Sequence, residues 1–131
     1  MRTILIPAAF AVLAGCAAPQ PYAPVREVSY AAVGHDPFWT LSIGEDTIVL
    51  SLTDTPDLDW NAIGYPRTLP RTVDGVTTWE SGEGTDVISI EARPGPCTGG
   101  RGVRFEDRVR VRLSGRELHG CGGRIVSKGQ G

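Results

Sequence analysis

Fifteen acidic and thirteen basic side chains in 131 residues give a net charge of −2, which provides no electrostatic footprint for a nucleic-acid polyanion. The length suits a single domain with a modest core. The charge is unevenly spread: residues 16–96 carry a net −8 and residues 97–131 a net +5, which predicts faces of opposite sign or, more simply, strands that neutralise one another across the sheet.

The first segment reads as an export signal. Arg2 precedes an uncharged apolar run from Ile4 to Leu13, and Leu13-Ala14-Gly15-Cys16 closes it. That run is too short to span a membrane and has the flanks of a secretory signal. The tetrapeptide resembles the lipobox of bacterial lipoproteins. The resemblance implies cleavage after Gly15, a diacylglycerol on the Cys16 thiol, and an added N-terminal acyl chain such as palmitate. Each buried methylene adds about 0.8 kcal/mol of membrane attachment. Ala17 in place of an aspartate implies, by the same resemblance, the periplasmic face of the outer membrane. Residues 1–15 are thus expected to be a signal peptide, residues 16–24 an uncharged Pro/Ala-rich tether, and residues 25–131 one β domain. In that oxidising compartment Cys97 and Cys121 form an even pair. A disulfide between them restricts the unfolded chain by about 3–4 kcal/mol.

Beyond residue 36 the apolar residues recur with period two, the mark of half-buried strands. Trp39, Leu41 and Ile43 share one face, Gly44-Glu45-Asp46 turns the chain, and Ile48, Leu50 and Leu52 continue the pattern as a hairpin. Residues 53–66 are rich in Asp, Pro, Gly and Asn and are expected to form a long loop, with Leu58, Trp60 and Ile63 folding back as its plug. Asp74-Gly75 between Leu69–Val73 and Val76–Glu80 is a strong hairpin signal. Asp86–Arg93 reads as a strand broken by Pro94-Gly95-Pro96. Val109, Val111 and Leu113 then alternate with Arg108, Arg110 and Arg112, and Ser114-Gly115 turns into Leu118–Cys121. The expected fold is all-β, a small antiparallel barrel or sandwich of about seven short strands.

Gly34-His35-Asp36-Pro37-Phe38-Trp39 is the most distinctive run. Pro37 fixes its own φ and biases Asp36 away from the helical region, so an extended lead into the first strand is expected. Phe38 and Trp39 then point to opposite faces, one into the core and the other into a groove or against the tether. A structural anchor is the default for such a pair, and a ligand platform the alternative. Together with Pro96-Cys97 and Gly120-Cys121, the run resembles an uncharacterised family of small Gram-negative envelope lipoproteins, some of which stand beside META-type domains. His35 replaces that family's usual asparagine, Asp36 its glutamate, and Thr98-Gly99-Gly100-Arg101-Gly102 its acid-rich segment after the first cysteine. The resemblance implies a small periplasmic β-fold and no established activity.

Catalytic signatures are weak by comparison. His35, His119, Cys97 and Cys121 do not have metal-ligand spacing, so no metal or cofactor is expected. No serine stands in a Gly-x-Ser-x-Gly elbow. Asp57/Asp59 and Asp36/Glu91 become a carboxylate pair for glycoside chemistry only if the fold unites them. Arg108, Arg110 and Arg112 place three guanidinium groups on one strand face, with Arg101, Arg104 and Arg116 nearby. They suit an anionic envelope component or an acidic protein; the simpler reading is a solvated face paired with Glu80, Glu83, Asp86 or Glu91. The expected protein is a monomeric, membrane-anchored, non-enzymatic binding or envelope-maintenance module. Its alternatives are an inhibitor of a cell-wall hydrolase, although the Ser-Gly-x-x-Tyr loop of lysozyme inhibitors is missing, and a small hydrolase using His35, Asp36 or His119.

Overall fold

The computed structural model describes residues 27–53 and 60–128. The signal segment, Cys16, the tether and Leu58 lie outside the described residues. Within them the chain is all-β: β1 (Tyr30–Gly34), β2 (Phe38–Ile43), β3 (Thr47–Thr53), β4 (Asn61–Pro66), β5 (Arg71–Val73), β6 (Val76–Glu83), β7 (Asp86–Thr98), β8 (Arg104–Leu113) and β9 (Arg116–Ser127). All neighbouring strands pair antiparallel in the order β4-β3-β2-β1-β9-β8-β7-β6-β5. Two meanders, β1 to β4 and β5 to β9, are thus joined into one sheet by the pairing of β1 with β9.

The sheet is a curled half-barrel. Its two ends approach each other through side chains rather than a strand ladder: the Ser81 hydroxyl donates to the Pro66 carbonyl at 2.6 Å, and Thr68 donates to the Glu80 carbonyl at 2.8 Å. The concave face holds the core, in which Trp39, Leu41, Ile43, Ile48, Leu50, Ile88, Ile90 and Val111 are fully buried. Their alternation along each strand is the period-two pattern of the sequence turned into packing.

Two strands lie where no strand was expected. β4 occupies the second half of the expected 53–66 loop. As an edge strand it tolerates Gly64 and Pro66, which a central strand would not. Trp60 and Ile63 are half-exposed and do not plug the core; Tyr65 is the residue that β4 buries. β1 lies before the expected start of patterning. Its Ala31, Ala32 and Gly34 are small because Ala32 and Gly34 pack closely against β2 and β9. The expected extended lead into β2 is instead a tight connection between β1 and β2, with a cis Asp36–Pro37 bond and Asp36 at φ 73°.

The third departure is at Pro94-Gly95-Pro96, which does not end β7. The strand runs on to Thr98 through a register shift between Pro94 and Cys97. A bulge leaves residues outside the ladder, so a proline there forfeits no hydrogen bond.

Tyr30 ties the first strand to the eighth. Its hydroxyl donates to Asp107 Oδ2 at 2.7 Å, and its ring lies 5.1 Å from that of Trp79. Burial, the hydrogen bond to Asp107, and the Asp107 and Glu106 charges push the Tyr30 phenol well above its ordinary value; burial and the Asp86 charge raise that of Tyr65. Above a pH of about 10 the unfolded chain therefore binds fewer protons than the folded one. The stability these groups contribute is complete below that pH and is lost above it, by up to about 1.4 kcal/mol per pH unit per tyrosine. Urea midpoints are expected to fall with increasing alkalinity, and less steeply in Tyr30→Phe. A Tyr30→Phe profile parallel to the parent's would refute this assignment.

Candidate functional site

Cys97 and Cys121 are joined, with their Cα atoms 5.5 Å apart. They lie on β7 and β9, which are separated by β8. Two strand spacings amount to roughly 9.5 Å, beyond the reach of a disulfide. The gap closes because both neighbouring ladders are irregular, β7–β8 between Pro94 and Cys97, and β8–β9 between Arg104 and Asp107. These irregularities bend the tip of the β7–β8 hairpin over the sheet. A short 3-10 turn at Gly100–Gly102 caps that tip, closed by a hydrogen bond from Gly99 N to the Val103 carbonyl of 2.7 Å.

Beneath the folded tip is an open cleft of about 950 Å³. Val33, Phe38, Val103, Phe105 and Ile125 supply its apolar surface, with the disulfide in its wall. Val33, Phe38 and Ile125 are 37, 39 and 53% exposed, an unusual solvent exposure for three large apolar side chains sharing one concavity. The polar members are Arg101, Arg108, His35 and His119, together with Thr98. Among the described residues no aspartate or glutamate lines it.

The structure divides the sequence candidates. Phe38 and Trp39 do face opposite ways: Phe38 lines the cleft while Trp39, 1% exposed, lies behind it in the core. Trp39 therefore has no surface to offer a ligand. Its indole N–H donates to the His119 carbonyl at 3.3 Å, and its ring occupies the space that side chains at Gly34 and Gly120 would need. Gly34, Trp39 and Gly120, residues of the two distinctive motifs, are thus one packing unit.

The arginine row is divided too. Arg110 Nη2 lies 2.7 Å from Glu91 Oε1, its directly opposed residue on β7. Arg112 lies 3.5 Å from Glu117 Oε1, and Arg110 Nη1 lies 3.9 Å from Glu117 Oε2. This is cross-strand neutralisation, with Glu91 as expected and Glu117 as an additional partner; Glu80 approaches only Arg71, at 4.0 Å. Arg108 differs, because Arg93 and Cys121 are its neighbours in the ladder. Its Nε donates to the Pro96 carbonyl at 3.3 Å, and its side chain borders both the cleft and a small recess that it shares with Glu91, Arg93, Arg110 and His119. Among the described residues neither Arg108 nor Arg101 has a carboxylate within 4.0 Å.

His35 and His119 border the same cleft. The His35 ring sits 6.4 Å from that of Phe38, and His119 Nε2 lies 2.9 Å from Glu117 Oε2, outside the cleft. Asp36 lies in a separate small recess with Pro37 and Arg116. The cysteines are consumed by their bond, and among the described residues no group of three His, Cys, Asp or Glu side chains could hold a metal. Phe105 and Ile125 lie outside every site expected from the sequence, and Arg101 enters there only as a neighbour of the arginine row. The available signal was an arginine flanked by glycines in Gly99-Gly100-Arg101-Gly102, which places a long cation at the tip of a tight turn. The chain matches no known family model, no curated protein and no solved structure.

Proposed function

We propose that this chain is a lipoprotein anchored through Cys16 to the periplasmic face of the outer membrane, and that its β domain is a non-enzymatic binding module. The lipobox-like Leu13-Ala14-Gly15-Cys16, the pairing of the other two cysteines and the resemblance to envelope lipoproteins support the location. The observation that carries the binding role is the cleft itself, which combines exposed apolar walls with two arginines that have no carboxylate within 4.0 Å among the described residues. A volume of about 950 Å³ lies within the range of small-ligand sites. Among the described residues no aspartate or glutamate lines the cleft, which speaks against a two-carboxylate glycoside mechanism there.

A photo-crosslinking residue at Phe38, compared with one at Thr72 on the exposed strand β5, tests the role in intact cells. Adducts are expected at position 38 and not at 72. Their mass separates a small envelope component from a cell-wall hydrolase, the runner-up partner. Equal labelling at both positions, or none at 38, would remove the cleft as a binding site. Mass spectrometry of the N-terminal peptide tests the anchor: an unmodified Cys16 would refute it.

A further inference from the structure

We infer that the cleft binds a single-chain amphiphile carrying an anionic phosphate head, an identification of the ligand that rests on the binding role proposed above. Two surfaces of opposite character meet there. Val33, Phe38, Val103, Phe105 and Ile125 form an apolar trough that a sugar or a peptide acid would not fill. Arg101 and Arg108 reach the same cleft from two elements, the tip of the folded hairpin and strand β8.

Charge complementarity selects the head. The neighbouring guanidinium groups Arg110 and Arg112 are neutralised by Glu91 and Glu117, whereas the two that line the cleft have no carboxylate within 4.0 Å among the described residues. Guanidinium forks match phosphate oxygens, and a phosphate monoester offers three acceptors and about −1.5 to −2 charges. His35 adds a ring N–H donor at the border of the cleft. The backbone favours the same assignment: Arg101 holds φ 60°, a left-handed conformation that a glycine would adopt at less cost. An arginine is therefore kept at a position where the turn alone favours glycine.

The shape selects the tail. The cleft is open rather than enclosed, so an alkyl chain can enter it from solvent with its head at the arginines. Each methylene drawn onto the apolar wall strengthens binding by about fourfold, until the trough is filled.

The test uses the complete chain following Gly15, with Cys16→Ser so that no lipid or detergent competes. Lysophosphatidic acids of increasing acyl length, all below their micellar concentrations, are titrated by calorimetry against lysophosphatidylcholines of the same lengths. Affinity for the phosphate monoester is expected to rise with chain length and then level off. The zwitterionic series is expected to bind at least about tenfold more weakly, the effect of losing charged hydrogen bonds. Arg101→Glu, on an exposed turn, and Arg108→Glu should each weaken lysophosphatidic acid by about tenfold or more, with thermal midpoints reporting whether the fold persists. Equal affinity for the two head groups, no dependence on acyl length, or unchanged binding in a folded Arg101→Glu would overturn the assignment. If lysophosphatidic acid does not bind while Phe38 still yields cellular adducts, the ligand class is wrong and the binding role stands.

Discussion

Serine at both Cys97 and Cys121 is expected to lower the stability of the domain by about 3.5 kcal/mol and its thermal midpoint by roughly 15 °C. The bond joins residues 24 apart, and loop closure over that length accounts for the free-energy figure in the chain-entropy model. Domains of this size have only about 5–15 kcal/mol in total, so the loss is a large share. The loss should also fall on one place. The disulfide bridges across β8 and holds the bent end of β7 against β9, so the folded hairpin tip with Arg101 should loosen before the core does. Amide hydrogen exchange in the double-serine variant should rise first over residues 97–105. Thermal melts with and without reductant check the magnitude; a midpoint unmoved by reductant would mean that the bond does not form in the purified protein.

The parts of the fold legible in the sequence are those governed by local pattern. Trp39–Ile43 and Val109–Leu113 alternate cleanly, Ile48–Leu52 follows as an apolar hairpin partner, Asp74-Gly75 marks a turn between two strands, and all these segments are paired in the sheet. β1 was illegible because its residues are selected by contact rather than by pattern: Ala32 is buried, and Gly34 lies against the Trp39 ring. β4 was illegible because an edge strand is free to carry the turn-forming residues that argue against a strand. In both cases a partner distant in sequence, β9 or β3, supplies what the segment lacks by itself.

The site was harder to read than the fold. Three arginines at alternate positions look equivalent in the sequence, yet cross-strand register gives two of them glutamates and leaves Arg108 beside Cys121. The β8–β9 register follows from the two-residue Ser114-Gly115 turn, whereas the β7–β8 register depends on the irregularity at Pro94-Gly95-Pro96, where no one-dimensional periodicity operates. The cysteine pair, by contrast, is legible from the even count that remains once Cys16 is expected to carry lipid, because a disulfide requires an even count and an oxidising setting rather than a register. The hairpin tip, bent over the sheet by the two ladder irregularities, is held as a cleft wall by that bond.

Trp39→Ala is expected to cost about 3–5 kcal/mol, the loss for deleting a fully buried aromatic side chain. Its two glycine neighbours should behave as part of the same unit. A Cβ at Gly34 would meet the Trp39 indole first and then the His119 carbonyl at 2.6 Å; a Cβ at Gly120 would meet the Val33 carbonyl first and then Trp39 Cζ2 at 2.6 Å. Gly34→Ala and Gly120→Ala should each cost about 1–3 kcal/mol through overpacking. Their response to a smaller ring should differ. Trp39→Phe removes the nearest obstacle at position 34, so the Gly34→Ala/Trp39→Phe pair should be more stable than additivity predicts, by about 0.5–3 kcal/mol. At position 120 the nearest obstacle is backbone, which no ring substitution removes, so Gly120→Ala should be rescued less. Urea denaturation of the single and double variants measures both couplings. Equal rescue at the two positions, or strictly additive losses, would show that the indole is not what requires glycine at residue 34.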